Sequence, residues 1–189
     1  MPINNITLCS RALVRIGAVP ITSFSDGTAE SEIAATLYDS VKDALLSAYG
    51  WSFATTQSQL TQLASDPIAD YSYAFGLPND FLRALSAGSN TKSRGVNFRI
   101  VSGGLHTNVS AVTLNYIAAI DESAFPPYFA QALVARLAAE FCIPVTENTS
   151  RAEALFNLAE REYEQARQID AQQDSPSRIE NFPLTDVRN

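Results

Sequence analysis

The sequence predicts a mainly α-helical protein, a four-helix bundle carrying a small antiparallel β insertion and ending in an extended C-terminal arm. Three observations carry that prediction. Both flanks of the chain repeat apolar residues at helical spacing, the middle replaces Ala and Leu with Gly, Ser, Thr and Asn, and the end has no period at all. Residues 1–50 and 121–174 are accordingly assigned to the bundle, 51–120 to a β-rich insertion, and 175–189 to an arm that is flexible in the monomer.

The first helix is expected over residues 4–18, where Ile6, Leu13 and Ile16 with Cys9 and Ala12 form a stripe, and Gly17 and Pro20 stop it. Thr28 caps the second, with Glu30 and Glu32 in its first turn, where the helix dipole favours acidic groups. Ile33, Leu37, Val41 and Leu45 then recur every fourth residue, with Ala34, Tyr38 and Tyr49 broadening the stripe, so the helix is expected to present one wide apolar face as far as Gly50. In the middle, Val96, Phe98 and Ile100 alternate with polar neighbours, Ser102-Gly103-Gly104 reads as a turn, and Val112, Leu114 and Tyr116 alternate again. A hairpin or small meander is the expectation. Leu77-Pro78-Asn79-Asp80 is a turn into the apolar segment Phe81 to Leu85.

Helix returns at Pro126-Pro127, and Phe129, Leu133, Leu137 and Phe141 repeat every fourth residue until Pro144. Ser150 with Glu153 reads as a capping box for a fourth helix reaching about Gln173, with Leu155, Leu158, Ala159, Tyr163 and Ala166 inward. The end, SPSRIENFPLTDVRN, holds two prolines, yet Ile179, Phe182 and Leu184 are apolar groups suited to ordering on a partner.

Composition excludes several functions. Thirteen basic against 20 acidic side chains give a net charge of −7, unlike a protein that grips nucleic acid through a basic face. One histidine and two distant cysteines leave no two-histidine metal motif, no paired-cysteine zinc site and no disulfide framework. No apolar run approaches the roughly 20 residues of a membrane helix, and the N-terminus lacks the pattern of a signal peptide, so the chain is expected to be made in the cytoplasm. Phosphate-binding loops, nucleophile elbows and zincin motifs are all missing from the sequence. His106 beside the Gly103-Gly104 turn reads as a loop histidine rather than a base, and Cys9 and Cys142 as small core residues rather than nucleophiles. A carboxylate pair, Glu30 with Asp80 or Asp26 with Glu32, is what a glycoside-cleaving alternative would need. Trp51, Phe53, Tyr71, Tyr73 and Phe75 have no Lys or Arg among them and read as packing groups, not as a base-stacking platform.

Charge is distributed unevenly. Residues 1–70 and 145–174 each carry −4, whereas residues 76–120 carry +3 from Arg83, Lys92, Arg94 and Arg99 against Asp80. Complementary patches of this kind steer and register assembly.

Several segments then share an order with one family: RALVRIGAVPITSFSDGTAES, LLSAYGWSFAT, YAFGLPNDFLRAL, LNYIAAIDESAFPPYFAQALVARLAAEF and YEQARQIDAQQ. Over about residues 5–174 the chain resembles the head-to-tail adaptors of tailed bacteriophages, the tail tubular protein A type. The resemblance implies a structural part without enzymatic activity or cofactor. It implies a dodecameric ring below the portal protein at the head–tail junction of the virion, extending the channel through which genomic DNA passes and carrying the tail nozzle or next tail component. It also implies a C-terminal arm that docks on the portal, here Arg178, Ile179, Phe182, Leu184 and Arg188; the basic segment of the β insertion, Lys92 and Arg94, is then expected to face the next, distal tail component. The competing readings are a peptidoglycan-cleaving enzyme, which would use the carboxylates above, and an interaction domain unrelated to phage.

Overall fold

The computed structural model describes residues 3–65, 67–89 and 92–173. Four helices form where periodicity places them. Asn4 caps α1 (Asn5–Arg15) in a capping box with Thr7, and Gly17 at φ +76° closes it in a Schellman motif, its N–H donating to the Val14 carbonyl and that of Ala18 to Leu13. Thr28 caps α2 (Ala29–Ala48) with Ser31 completing the box. In α3 (Pro127–Thr146) a proline occupies the first position, but Pro144 does not stop the helix. It sits in the last turn, which ends at Glu147 in the left-handed conformation. The cap of α4 (Thr149–Ala171) is Asn148, whose side chain accepts from the Arg151 N–H, rather than Ser150.

α3 packs against α1, α2 and α4 and is buried on most of its circumference, with 11 of its 20 residues in the core. By length and composition it is apolar enough to cross a membrane, contrary to the sequence expectation. Its burial identifies it instead as the central helix of the fold.

The middle of the chain is more extensive than a hairpin. Strands β1 (Thr55–Gln59), β3 (Phe81–Gly88) and β6 (Thr113–Ala118) form one antiparallel sheet in the order β1-β6-β3, and β2 (Tyr73–Gly76), β4 (Phe98–Val101) and β5 (Gly104–Thr107) form a second in the order β2-β5-β4. The turn at Ser102-Gly103 is as expected, both residues having positive φ as a two-residue hairpin requires, but it joins β4 to β5. The 112–116 alternation belongs instead to β6, the centre of the other sheet.

The fold class is therefore α+β, with 48% helix and 19% strand among the described residues, and not a mainly α four-helix bundle. The reason lies in β6. Ile117 joins the helical core around Leu8, Leu13, Phe129 and Leu137, while Leu114 and Tyr116 join a separate core with Phe75 and Leu105 of the second sheet. Successive side chains of a strand face opposite ways, so the first sheet is a shared layer between two cores.

Candidate functional site

The helices and the first sheet meet at Gly50-Trp51-Ser52-Phe53-Ala54. Trp51 is fully buried, its indole N–H donates to the Leu45 carbonyl at 3.0 Å, and its ring lies edge-on to Tyr49, Phe129 and Tyr163 with centroids 5.0–5.8 Å apart. Phe53 extends the cluster to Phe125 and Phe129. These rings pack helices onto sheet, as the lack of interleaved cations implies. Tyr71 and Tyr73 are half-buried on the second sheet's side, and Phe75 lies in its core.

Beside this cluster is a residue the sequence reading did not single out. Asp170, in the last turn of α4, is buried and accepts from the Ser52 N–H (2.9 Å), the Ser52 hydroxyl (2.7 Å) and the Tyr128 hydroxyl (2.8 Å). One carboxylate thus ties the end of α4 to the start of the first sheet and the start of α3. Burial, and then the bond to Asp170, push the Tyr128 hydroxyl up to about 12. The signal was present in sequence, since Ala152, Ala159 and Ala166 recur every seventh residue and Asp170 continues their stripe. These four are the residues α4 buries. Leu158, expected inward, is 41% exposed.

Lys92 and Arg94 are exposed on the segment between β3 and β4. The segment folds tightly back on β3: the Ser86 hydroxyl donates to the Ser93 carbonyl at 2.8 Å, Val96 N–H donates to Ala87, and a Cβ at Gly88 would collide with the Lys92 backbone. Arg99 is exposed on β4. Arg83 does not join them. Its guanidinium donates to the Ala48 carbonyl at the end of α2, with Nε buried and without a hydrogen-bond partner among the described residues, so the positive segment read from the sequence is split between two places. Arg178, Ile179, Phe182, Leu184 and Arg188 lie outside the described residues.

The catalytic candidates are dispersed. Glu30 is in the first turn of α2, whereas Asp80 precedes β3 and accepts from the Tyr116 hydroxyl at 3.0 Å. Asp26 is held by the Thr22 and Ser23 N–H groups, bonds that keep its carboxyl below the usual range, and Glu32 is exposed on α2. His106 lies within β5, not in a loop. It stacks edge-on against Tyr71 and borders a depression of about 700 Å3 with Asp70 and Arg99. Burial, with the nearby Asp39 and Glu122 carboxylates, pushes the Cys9 thiol up to about 12, which disfavours the thiolate, and Cys142 is buried beside Thr146. Among the described residues no cluster of three His, Cys, Asp or Glu groups could hold a metal.

A groove of about 400 Å3 runs between α2 and α4 over α3, lined by Leu37, Val41 and Leu45, by Ala159 and Tyr163, and by Arg136. Of the wide apolar face expected on α2, Leu37, Val41 and Leu45 line the groove half-buried, whereas Ala34 and Tyr38, with Leu46, are fully buried. The Tyr38 hydroxyl donates to Glu122 at 3.0 Å, and Lys42 reaches the same carboxylate at 3.5 Å.

Residues 8–178 match the family model described as tail tubular protein, from within α1 to past the end of α4. The chain belongs to the tail tubular protein family. It is a structural component of a phage tail, placed in the virion tail and assembling with other tail components and with copies of itself. No curated protein matches its sequence. In this tail tubular protein the match covers both cores, every strand and every helix but the first three residues of α1.

Proposed function

We propose that this tail tubular protein is a head-to-tail adaptor, a ring below the portal that extends the DNA channel and carries the next tail component. The observation that carries the proposal is the family match over residues 8–178, which spans both cores. Exposed charge supports it. Lys92, Arg94 and Arg99 are displayed from the β3–β4 segment and β4, whereas α4 carries Glu153, Glu160 and Glu164 on its surface. A net charge of −7 per protomer suits a channel wall, because basic contacts would hold phosphates and slow the passage of DNA. In this reading the ring is a dodecamer, Arg178, Ile179, Phe182, Leu184 and Arg188 dock on the portal, and Lys92 and Arg94 face the distal tail. The Asp170 tie fixes the helix from which that arm departs.

Deletion of residues 175–189 is expected to abolish binding to portal rings while leaving the helical circular dichroism unchanged. Undiminished portal binding by the truncated chain contradicts the arm assignment.

A further inference from the structure

We infer that neighbouring copies join head to tail, the outer ridge of α1 of one copy seating in the α2–α4 groove of the next. The inference rests on the self-assembly half of the proposed function and names the surfaces that perform it. On α1, Arg11, Val14 and Arg15 occupy i, i+3 and i+4 and so form one ridge. Val14 is 59% exposed, and Val19, just past the helix, is 70% exposed. Arg151 of α4 donates to the Arg15 carbonyl at 3.3 Å and adds a third guanidinium. Among the described residues none of these three arginines has a salt bridge, the best side-chain partner of Arg11 being the Gln131 amide at 3.3 Å. The ridge is apolar and basic.

The groove is its complement. Its floor is aliphatic, Glu160 of α4 lines it, and Glu153 and Glu164, at seven residues before and four after Glu160, lie on the same face of that helix. Arg136 pairs with Glu140 at 3.0 Å and Glu160 at 3.2 Å, but Glu153 and Glu164 have no ion pair among the described residues. A basic ridge with protruding valines fits an aliphatic groove flanked, on the α4 face that carries Glu160, by the unpaired carboxylates of Glu153 and Glu164.

The two surfaces also face opposite ways. Gln131, which touches Arg11, and Arg136 and Glu140, which line the groove, are five and nine residues apart on α3, roughly 140° and 180° around the helix at about 100° per residue. A heterologous contact between different patches closes into a ring when rotation allows, and in a ring of many copies each protomer presents its two faces nearly opposite one another.

The test is covalent. Val14→Cys and Ala44→Cys are introduced into one chain at exposed positions, the native Cys9 and Cys142 being buried. Tails carrying V14C/A44C should give, on oxidation, a ladder of cross-linked multimers on a non-reducing gel, whereas each single variant stays monomeric. Tails that contain the double variant but yield only monomers, or dimers from V14C alone, overturn the interface. Should the cysteine pair prevent tail formation, charge reversal decides. R11E/R15E should lower the assembled fraction about tenfold and E153R/E164R on the same chain should restore about half of it, helical dichroism being unchanged throughout. Assembly indifferent to both reversals also overturns the interface. A ladder from copies that never bind the portal leaves this interface standing and sinks the adaptor reading instead.

Discussion

The helical core and the core between the two sheets are built on different scales. Among the described residues the first gathers 24 buried ones around α3 and Trp51, the second eight around Phe75, Leu105 and Tyr116. They share β6, so neither is a separate module, yet the burial that stabilises the fold lies mostly on the helical side. The smaller core holds the sheet whose β4 displays Arg99 and Ile100 at the surface. Burial thus concentrates on the helical side, where the Asp170 tie and the groove sit, and the sheets carry the exposed Lys92 and Arg94 on a lightly packed support.

The largest effect expected is from Trp51→Ala, which opens a cavity where helices and sheet meet and should cost about 3–5 kcal/mol in urea unfolding. Hydrogen exchange in that variant should rise in α3 and β6 together. Phe75→Ala should cost a comparable transfer term but act locally, raising exchange in β2, β4 and β5 while α3 stays protected. Equal loss of protection in α3 for both variants would merge the two regions into one cooperative unit.

Asp170→Ala should be next, at about 2–4 kcal/mol, because three donors lose a buried charged acceptor. Asp170→Asn should recover part of that, and Tm separates the two. Gly88→Ala should be smaller, about 1–3 kcal/mol, by forcing the Lys92 backbone away from β3. Limited proteolysis after Lys92 and Arg94 should accelerate in that variant without change in α3 exchange.

The last effect is confined to alkaline pH. Cys9 and Tyr128 both have folded-state values raised to about 12, from 9.0 and 10.0, so their neutral forms are the ones the fold favours. Above the unfolded value the unfolded chain releases the proton more readily, so stability is level below about pH 9 and falls from there toward pH 12. Cys9→Ala should move the onset to about pH 10, and Tyr128→Phe should then lessen the remaining slope, which Tyr38 continues to carry. Both groups belong to the helical side, as does Tyr38, whose hydroxyl is raised further still by burial beside Glu122. Alkaline titration should therefore loosen α1, α2 and α3 before the second sheet, seen as residue-resolved exchange.

The same contrast explains what could be read from sequence. All four helices were legible because caps and four-residue periods are local signals, although Asn148 outcompeted Ser150 as the cap of α4 by lying directly before its first residue. The faces were less legible. On α2 the strongest aliphatic period lines a groove while Ala34, Tyr38 and Leu46 fill the core, because the wide apolar face must serve both α3 and the surface. The sheets were least legible. β2 and β5 are four residues long, too short to show alternation, and β6 pairs with strands 54 and 25 residues upstream in register, at Gln59 and Gly88, which no local pattern encodes. Of the candidate site, the exposed Lys92 and Arg94 were legible from charge, whereas Asp170 looked like one more acid on a charged helix.

The central claim, a ring seated below the portal, is tested most directly by electron microscopy of the protein alone and mixed with purified portal. Closed rings of the protein stacked coaxially on the portal, formed only when the portal is present, are the expected result. Portal particles that remain bare, or that carry scattered single copies, would contradict it.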